Sequence, residues 1–183
     1  MSKKRDDSYF AAERRKKKKT MMIAIPVGIA VVIAAVAASL SYQQVNPYGP
    51  VGSAHVHAVF AIKLNGQAID FSQQKYQVKS NLIHVENMDG TTLHRHATAV
   101  PFGEFLKSVK MDISNGCFTN DDGTKFCNDG DKTLKLYVNG QQVDSITDYV
   151  VNDNDHLLVL YGNENSEQIQ QELAALQNTP IRK

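Results

Sequence analysis

Twenty consecutive residues without a formal charge, Met21 to Leu40 ("MMIAIPVGIAVVIAAVAASL"), constrain this chain more than any other feature. At about 1.5 Å rise per residue, a helix of that length spans the roughly 30 Å hydrocarbon core of a bilayer. Pro26 falls near its start, where a helix tolerates proline best. Just before the run, residues 1–19 hold nine Lys or Arg against three Asp or Glu. Basic flanks stay on the cytoplasmic side, so the pattern predicts a basic cytoplasmic stub (1–19), a single transmembrane signal-anchor helix (20–41) and an exported remainder. A cleaved secretory signal is the rival, with a small-residue site in "AVAAS" around Ala37. The apolar run is longer than a usual signal core and the basic region is long, which favours a retained anchor in the cell membrane.

Of 20 Lys or Arg and 19 Asp or Glu, the stub takes nine and three, leaving eleven and sixteen in the remainder. A near-neutral total therefore hides a basic stub and an acidic exported part. That balance argues against nucleic acid as a partner and makes anionic lipid head groups the simpler contact for the basic block.

"SYQQVNPYGPVGS" reads as a short extended linker, placed at 42–53. The region 54–162 has ordinary single-domain size and is expected to build one core; 163–183 forms a C-terminal helix and tail. Its signals are mostly β. Asn65-Gly66 and Asn139-Gly140 each sit between alternating stretches, as in two-residue type I′ hairpins. "LNGQAID" and "VNGQQVD" nearly superimpose, which a duplication or two uses of one good turn explain equally. Between them, Pro101 suits a first helical position, with Phe102, Phe105, Leu106 and Val109 on one stripe. Leu157–Tyr161 reads as an apolar strand. In the last segment Ser166 is a candidate cap, and Ile169, Leu173 and Leu176 form a stripe suited to a sheet or a partner. The fold class expected is α+β: the transmembrane helix, a small mainly antiparallel or mixed sheet with one packed helix, and a C-terminal helix. The closing "YVNG" hairpin and "NDNDHLLVLYG" resemble the end of β-grasp proteins over some thirty residues.

Three of the six histidines, His84, His94 and His96, lie within thirteen residues. "NMDGT" (Asn87–Thr91) fits a three-residue hairpin loop, a type I turn with Gly90 in the left-handed region as a G1 bulge. Pairing outward from Asn87 and Thr91 sets Glu86 against Thr92, Val85 against Leu93, and His84 against His94. Alternation then gathers His84, His94 and His96 on one face and turns Val85, Leu93 and Arg95 to the other. A slip of one residue would break this. The same arithmetic in "CFTNDDGTKFC" pairs Phe118 with Phe126 and Cys117 with Cys127, a close pair suited to a disulfide in an exported domain. Its short loop places its stabilisation at the lower end of a few kcal/mol.

His-x-His on a strand plus an aligned His on its neighbour is a metal-ligand pattern, since imidazole suits Cu²⁺ and Zn²⁺. His55 and His57 repeat the spacing, so up to five ligands become available if their strand adjoins the others. Single surface histidines are ordinary, and His156, before a strand, is read as one; Met88, at the hairpin tip, is a poor copper ligand. Four or five His suit copper binding or delivery. Three with an open position are similar in ligand geometry to the zinc site of α-type carbonic anhydrases, the alternative being a zinc-dependent hydrolase or lyase. No residues for a walled pocket or proton relay are recognisable, so no catalytic residue is assigned. Nine residues and a turn between the cysteines speak against thiol–disulfide catalysis. An accessory or scaffold subunit of a membrane complex, with no metal role, is the further alternative.

"HVHAVFAIKLNGQAIDFSQQKYQ", "IHVENMDGTTLHRHAT" and "KTLKLYVNGQQVDSITDYV" resemble single-span, membrane-anchored proteins of archaea, above all of ammonia-oxidising lineages. The likeness covers most of 54–162, and the paired His-x-His-Ala stretches are its most specific part. Some such proteins bear a protein-disulfide-isomerase label, which the cysteine spacing here supports little. What the resemblance implies is copper, given the copper-rich metabolism of those archaea. The expectation is a membrane-anchored, extracytoplasmic metal-binding protein with copper (alternatively zinc) on His84, His94 and His96, joined by His55 and His57.

Overall fold

Asn-Gly pairs set the turns of the domain. Asn65 and Gly66 (φ 52° and 80°) and Asn139 and Gly140 (φ 51° and 78°) both adopt the left-handed pair that a type I′ turn requires. A third pair, Asn115 and Gly116 (φ 51° and 72°), makes a further hairpin. It was not among those expected, although the same residues signal it. The structure is a computed structural model describing residues 3–45 and 47–182. Met1 and Ser2 of the expected stub, Asn46 of the expected linker and Lys183 of the tail lie outside the described residues.

Helix α1, Lys3–Val45, runs unbroken through the basic block and the apolar run. Its stretch Glu13–Ser39 is long and apolar enough to cross a membrane, which fits an anchor and a signal sequence alike. No Gly or Pro interrupts the chain between Gly28 and Pro47, so the first residues assigned to the linker continue the helix. The chain divides into two units at Pro47 and Tyr48. From Tyr48 onward the expected linker is hydrogen-bonded into the second unit: Gly49 N–H donates to the Thr98 carbonyl at 3.1 Å and Gly52 N–H to that of His96 at 2.7 Å.

The second unit is α+β, giving three helices in all among the described residues. Its strands are β1 (Val56–Leu64), β2 (Gln67–Ala68), β3 (Ile83–His84), β4 (Thr92–Arg95), β5 (Asp112–Ser114), β6 (Cys117–Thr119), β7 (Lys125–Cys127), β8 (Thr133–Val138), β9 (Gln141–Val143) and β10 (His156–Gly162). Its helices are α2 (Phe102–Ser108) and α3 (Ser166–Gln177). The main sheet runs β3-β4-β1-β10-β8-β9, with β2 hydrogen-bonded to the far half of β1, and β5-β6-β7 form a separate sheet. β1 and β10 are parallel, with Val59 opposite His156; the other pairings are antiparallel.

The single expected core is two clusters. Ala58, Phe60 and Ile62 of β1 join Phe102, Phe105 and Leu106 of α2 in the larger one. The Phe60 and Phe105 rings meet edge to face at 5.0 Å. The alternate β1 residue Val59 joins Leu158, Leu160, Tyr137 and the α3 residue Leu176 in the smaller, with Ile169 and Leu173 half-buried against it. The α3 stripe thus lies on the sheet. Its cap is Asn165, not Ser166: Asn165 accepts from Gln168 N–H, and the Gln168 side chain accepts from Asn165 N–H, a full capping box. Pro101 likewise sits one place earlier than expected, at the N-cap of α2, where it bridges Val150. Beyond α3, Arg182 N–H donates to Thr92 Oγ1 at 3.1 Å, which lays the tail along β4.

"NDDGT" and "NMDGT" fold differently. In the first, Gly123 (φ 85°) forms the expected bulge, Phe118 faces Phe126, and Cys117 and Cys127 are joined as a disulfide with Cα atoms 4.0 Å apart. In the second, Asn87 and Met88 are both left-handed at φ 57°, the Glu86 carbonyl accepts from Asp89 N–H at 2.9 Å, and Gly90 is not left-handed. Neighbouring chain decides this. The Gln77 side chain accepts from Met88 N–H at 2.9 Å and donates to the Phe71 carbonyl at 2.7 Å, while Val85 bridges Gln77 instead of facing Leu93. Gly90 is pressed against this segment: a Cβ there would lie 2.4 Å from Ser72 N and 2.8 Å from the Phe71 carbonyl carbon. Gly66, by contrast, has open space around it and needs glycine only for its φ of +80°. Gly90→Ala should therefore lower stability by about 2–3 kcal/mol, as overpacking against backbone does. Gly66→Ala should cost about 1 kcal/mol. Urea midpoints of the two variants, compared in detergent, check this order.

Candidate metal centre

The register predicted for the first histidine hairpin holds although its turn does not: His84 faces His94 across β3 and β4, with Ile83 opposite Arg95. β4 is also paired with β1, placing His57 opposite His94 on the other side. One row of three imidazoles therefore crosses three strands. His55 and His96 lie one step further along, just outside β1 and β4, where Val56 and Arg95 form the last pair. Alternation sends all five side chains to one face of the sheet, which also bears Thr92.

The five rings form a closed circuit. Centroids are 4.6 Å apart for His55 and His57, 4.8 Å for His57 and His94, and 6.0 Å for His94 and His84. The circuit closes through His84 and His96 at 5.0 Å and His96 and His55 at 5.2 Å. His94, His57 and His84 are only 4, 5 and 6 % exposed, whereas His96 is half-buried and His55 exposed. His156 is half-buried at the start of β10, and Met88 is exposed in its turn.

Two carboxylates attend the rings. Glu86 Oε2 lies 3.2 Å from His84 Nε2, and its Oε1 lies 3.8 Å from His94 Nδ1. Asp153, in the loop before β10, accepts from His57 N–H at 2.9 Å and lies 3.8 Å from His57 Nδ1. The other nitrogen of His84, Nδ1, sits 2.6 Å from the Ser80 carbonyl, which fixes the ring and can accept only if Nδ1 carries its proton. His94 Nδ1 is buried and has no hydrogen-bond partner. On the opposite side of β4, Arg95 donates to the carbonyls of Val151 (2.8 Å) and Ala97 (2.5 Å). Glu86, Asp153 and Ser80 were not singled out in the sequence. The signal for Glu86 was present, since it stands two residues after His84 on the same face of an extended stretch.

Burial pushes His94 down to about 4, helped by the other imidazoles and opposed by Glu86. His96 is lowered as well, first by burial and then by His84 and His55. Burial works to raise Glu86, yet its bond to His84 and the fields of His94, His84 and His96 leave it below the usual carboxylate range.

Among the described residues, no group of three or more His, Cys, Asp or Glu side chains is arranged to hold a metal ion. The planes of His84 and His94 are 17° apart and those of His94 and His96 15° apart, so these rings stack instead of converging. Neither family models, curated proteins nor solved structures yield a match to this chain.

An imidazole held neutral in the fold stabilises it above the value of the free side chain and loses that stabilisation as it must take up a proton. For His94 the window runs from 6.5 down to about 4. Glu86, shifted the other way relative to its charge, stabilises the fold above 4.5 and ceases to as pH falls further. Metal-free protein should therefore lose on the order of 3 kcal/mol between pH 6.5 and 4 through His94. His94→Leu should flatten that part of a plot of unfolding free energy against pH.

Proposed function

We propose that this chain is a membrane-anchored protein that binds and hands on a transition metal, copper first and zinc as the alternative, using His55, His57, His84, His94 and His96. The observation that supports it is the convergence of five of the six histidines, from positions 55 to 96, on one patch containing a buried imidazole nitrogen without a partner. Such an orphan costs free energy unless something occupies it. An imidazole-rich set suits both ions, and the Irving–Williams order favours copper. The graded exposure, from buried His94 to exposed His55, suits an ion that must enter and leave.

The rest of the proposal concerns setting. The apolar stretch of α1 serves as a retained anchor, with the basic stub on the cytoplasmic side and the second unit exported. The Cys117–Cys127 disulfide fits an oxidising compartment. The fold is read as β-grasp-like with α2 as its packed helix. That reading rests on the central parallel pair β1 and β10, flanked by the hairpins β1-β2 and β8-β9, with α2 residues in the larger core.

The test uses the full chain in detergent, purified without a polyhistidine tag and titrated with Cu²⁺, Zn²⁺ and Cu⁺ against chelators of known affinity. One tight copper site is expected, weakened at least about tenfold in His84→Ala and in His94→Ala. Weak binding of all three ions, unchanged by either substitution, would sink the proposal and leave the scaffold role.

A further inference from the structure

We propose that the cleft between β5 and β9 takes an extended, basic segment of another protein, which adds as a strand between the two sheets. The proposal is independent of the metal reading and concerns a different part of the same unit.

Both sheets end at this cleft: β9 is the last strand of the main sheet and β5 the first of the small one. Their registers fix where the main-chain groups point. The Asn139-Gly140 turn is closed by Val138 and Gln141, and in a two-residue hairpin that pair exchanges both hydrogen bonds. Tyr137 and Gln142 are then a non-hydrogen-bonded pair, so the N–H and C=O of Gln142 point away from β8. The Asn115-Gly116 turn, closed by Ser114 and Cys117, directs those of Ile113 away from β6 in the same manner. Among the described residues, no main-chain hydrogen bond from outside their own ladders reaches Gln142 or Ile113.

Both residues line one cleft of about 380 Å³. Two open donor–acceptor pairs, one from each sheet, therefore border the same space. An extended chain directs its own N–H and C=O groups to both sides and can bond both edges at once. Exposed edges are ordinarily blunted by lysine, proline or a bulge. β9 reads Gln141-Gln142-Val143 and β5 reads Asp112-Ile113-Ser114, with neither lysine nor proline.

The lining sets the chemistry of the segment. Leu134, Leu136 and Val143 form an apolar wall continuous with the larger core. Asn115, Asn128, Ser145 and Thr147 add amides and hydroxyls, and among the described residues the charge on the lining is that of Asp144. The fitting segment alternates apolar residues, directed at the leucines and Val143, with polar ones, and carries a Lys or Arg where it passes Asp144. A second copy of this chain would bring an acidic unit of its own to that carboxylate, which argues for a foreign, basic segment.

The probe is a displayed library of random heptapeptides, selected on the untagged full chain in detergent. Enriched peptides should alternate apolar and polar residues and contain Lys or Arg. The strongest of them, made synthetically, should slow hydrogen exchange at the Ile113 and Gln142 amides. Gln142→Pro removes the outward N–H and spares the ladder to β8, as proline does on an edge strand; it should weaken that peptide by about tenfold or more. Asp144→Lys, at an exposed position, should weaken it by about threefold or more. Circular dichroism of both variants verifies that they are folded. No enriched peptide, or peptides whose affinity changes less than about twofold in both folded variants, would overturn the proposal. Peptides that respond to Asp144→Lys and leave the two amides unprotected would overturn it as well, since they bind by charge alone. Protection of those amides by raised protein concentration, with no peptide bound, would overturn it and assign the cleft to a second copy of the chain.

Discussion

β1 is hydrogen-bonded to β10 along one edge and shared between β4 and β2 along the other, so neither edge of it is left open, and its central residues are buried on both faces. Ala58, Phe60 and Ile62 enter the larger core, and Val59 lies in the smaller with α3 residues. Such a strand has one tolerable register. With Val56 fixed opposite Arg95, His57 must face His94, and a polar ring enters a sheet whose neighbouring positions are apolar. The histidine patch therefore follows from the same alternation that builds the two cores. It occupies the end of the sheet face that α3 leaves uncovered.

Local chemistry made part of this legible in the sequence. The Asn65-Gly66 and Asn139-Gly140 turns, the stripe of α2 and the pairing of Cys117 with Cys127 depend on a few adjacent residues whose preferences nothing overrides. The pairing of His84 with His94 was also legible, but for an incomplete reason. The expected bulge at Gly90 gives way to a left-handed turn at Asn87 and Met88, because Gln77 and the Phe71–Ser72 backbone press on the loop from outside. Two different turns can deliver the same register, and only the three-dimensional neighbours choose between them. The parallel pairing of β1 with β10 and the seating of α3 lay further out of reach. They join segments nearly a hundred residues apart, which no local pattern records. Glu86 was overlooked because a single acidic residue in a turn-rich stretch is ordinary until its neighbours are known.

Electrostatics set the character of the patch. Arg95 places a cation within the sheet, bonded to two backbone carbonyls, on the side of β4 opposite the imidazoles. Burial, followed by the rings' mutual repulsion, lowers His94 and His96 and so favours their neutral forms. Neutral imidazoles keep lone pairs, and Glu86 and Asp153 place carboxylates against them. The result is a region poor in protons and rich in electron pairs.

β3 contributes two residues to the sheet and lies at its edge, paired among the described residues with β4. Edges this short fray in the native state at a small fraction of the free energy of global unfolding. Opening of β3 swings one imidazole away and leaves the β1–β4 ladder, with the other four, intact. Amide hydrogens of Ile83 and His84 are expected to exchange faster than those of β1, and an occupant that touches both strands should slow them.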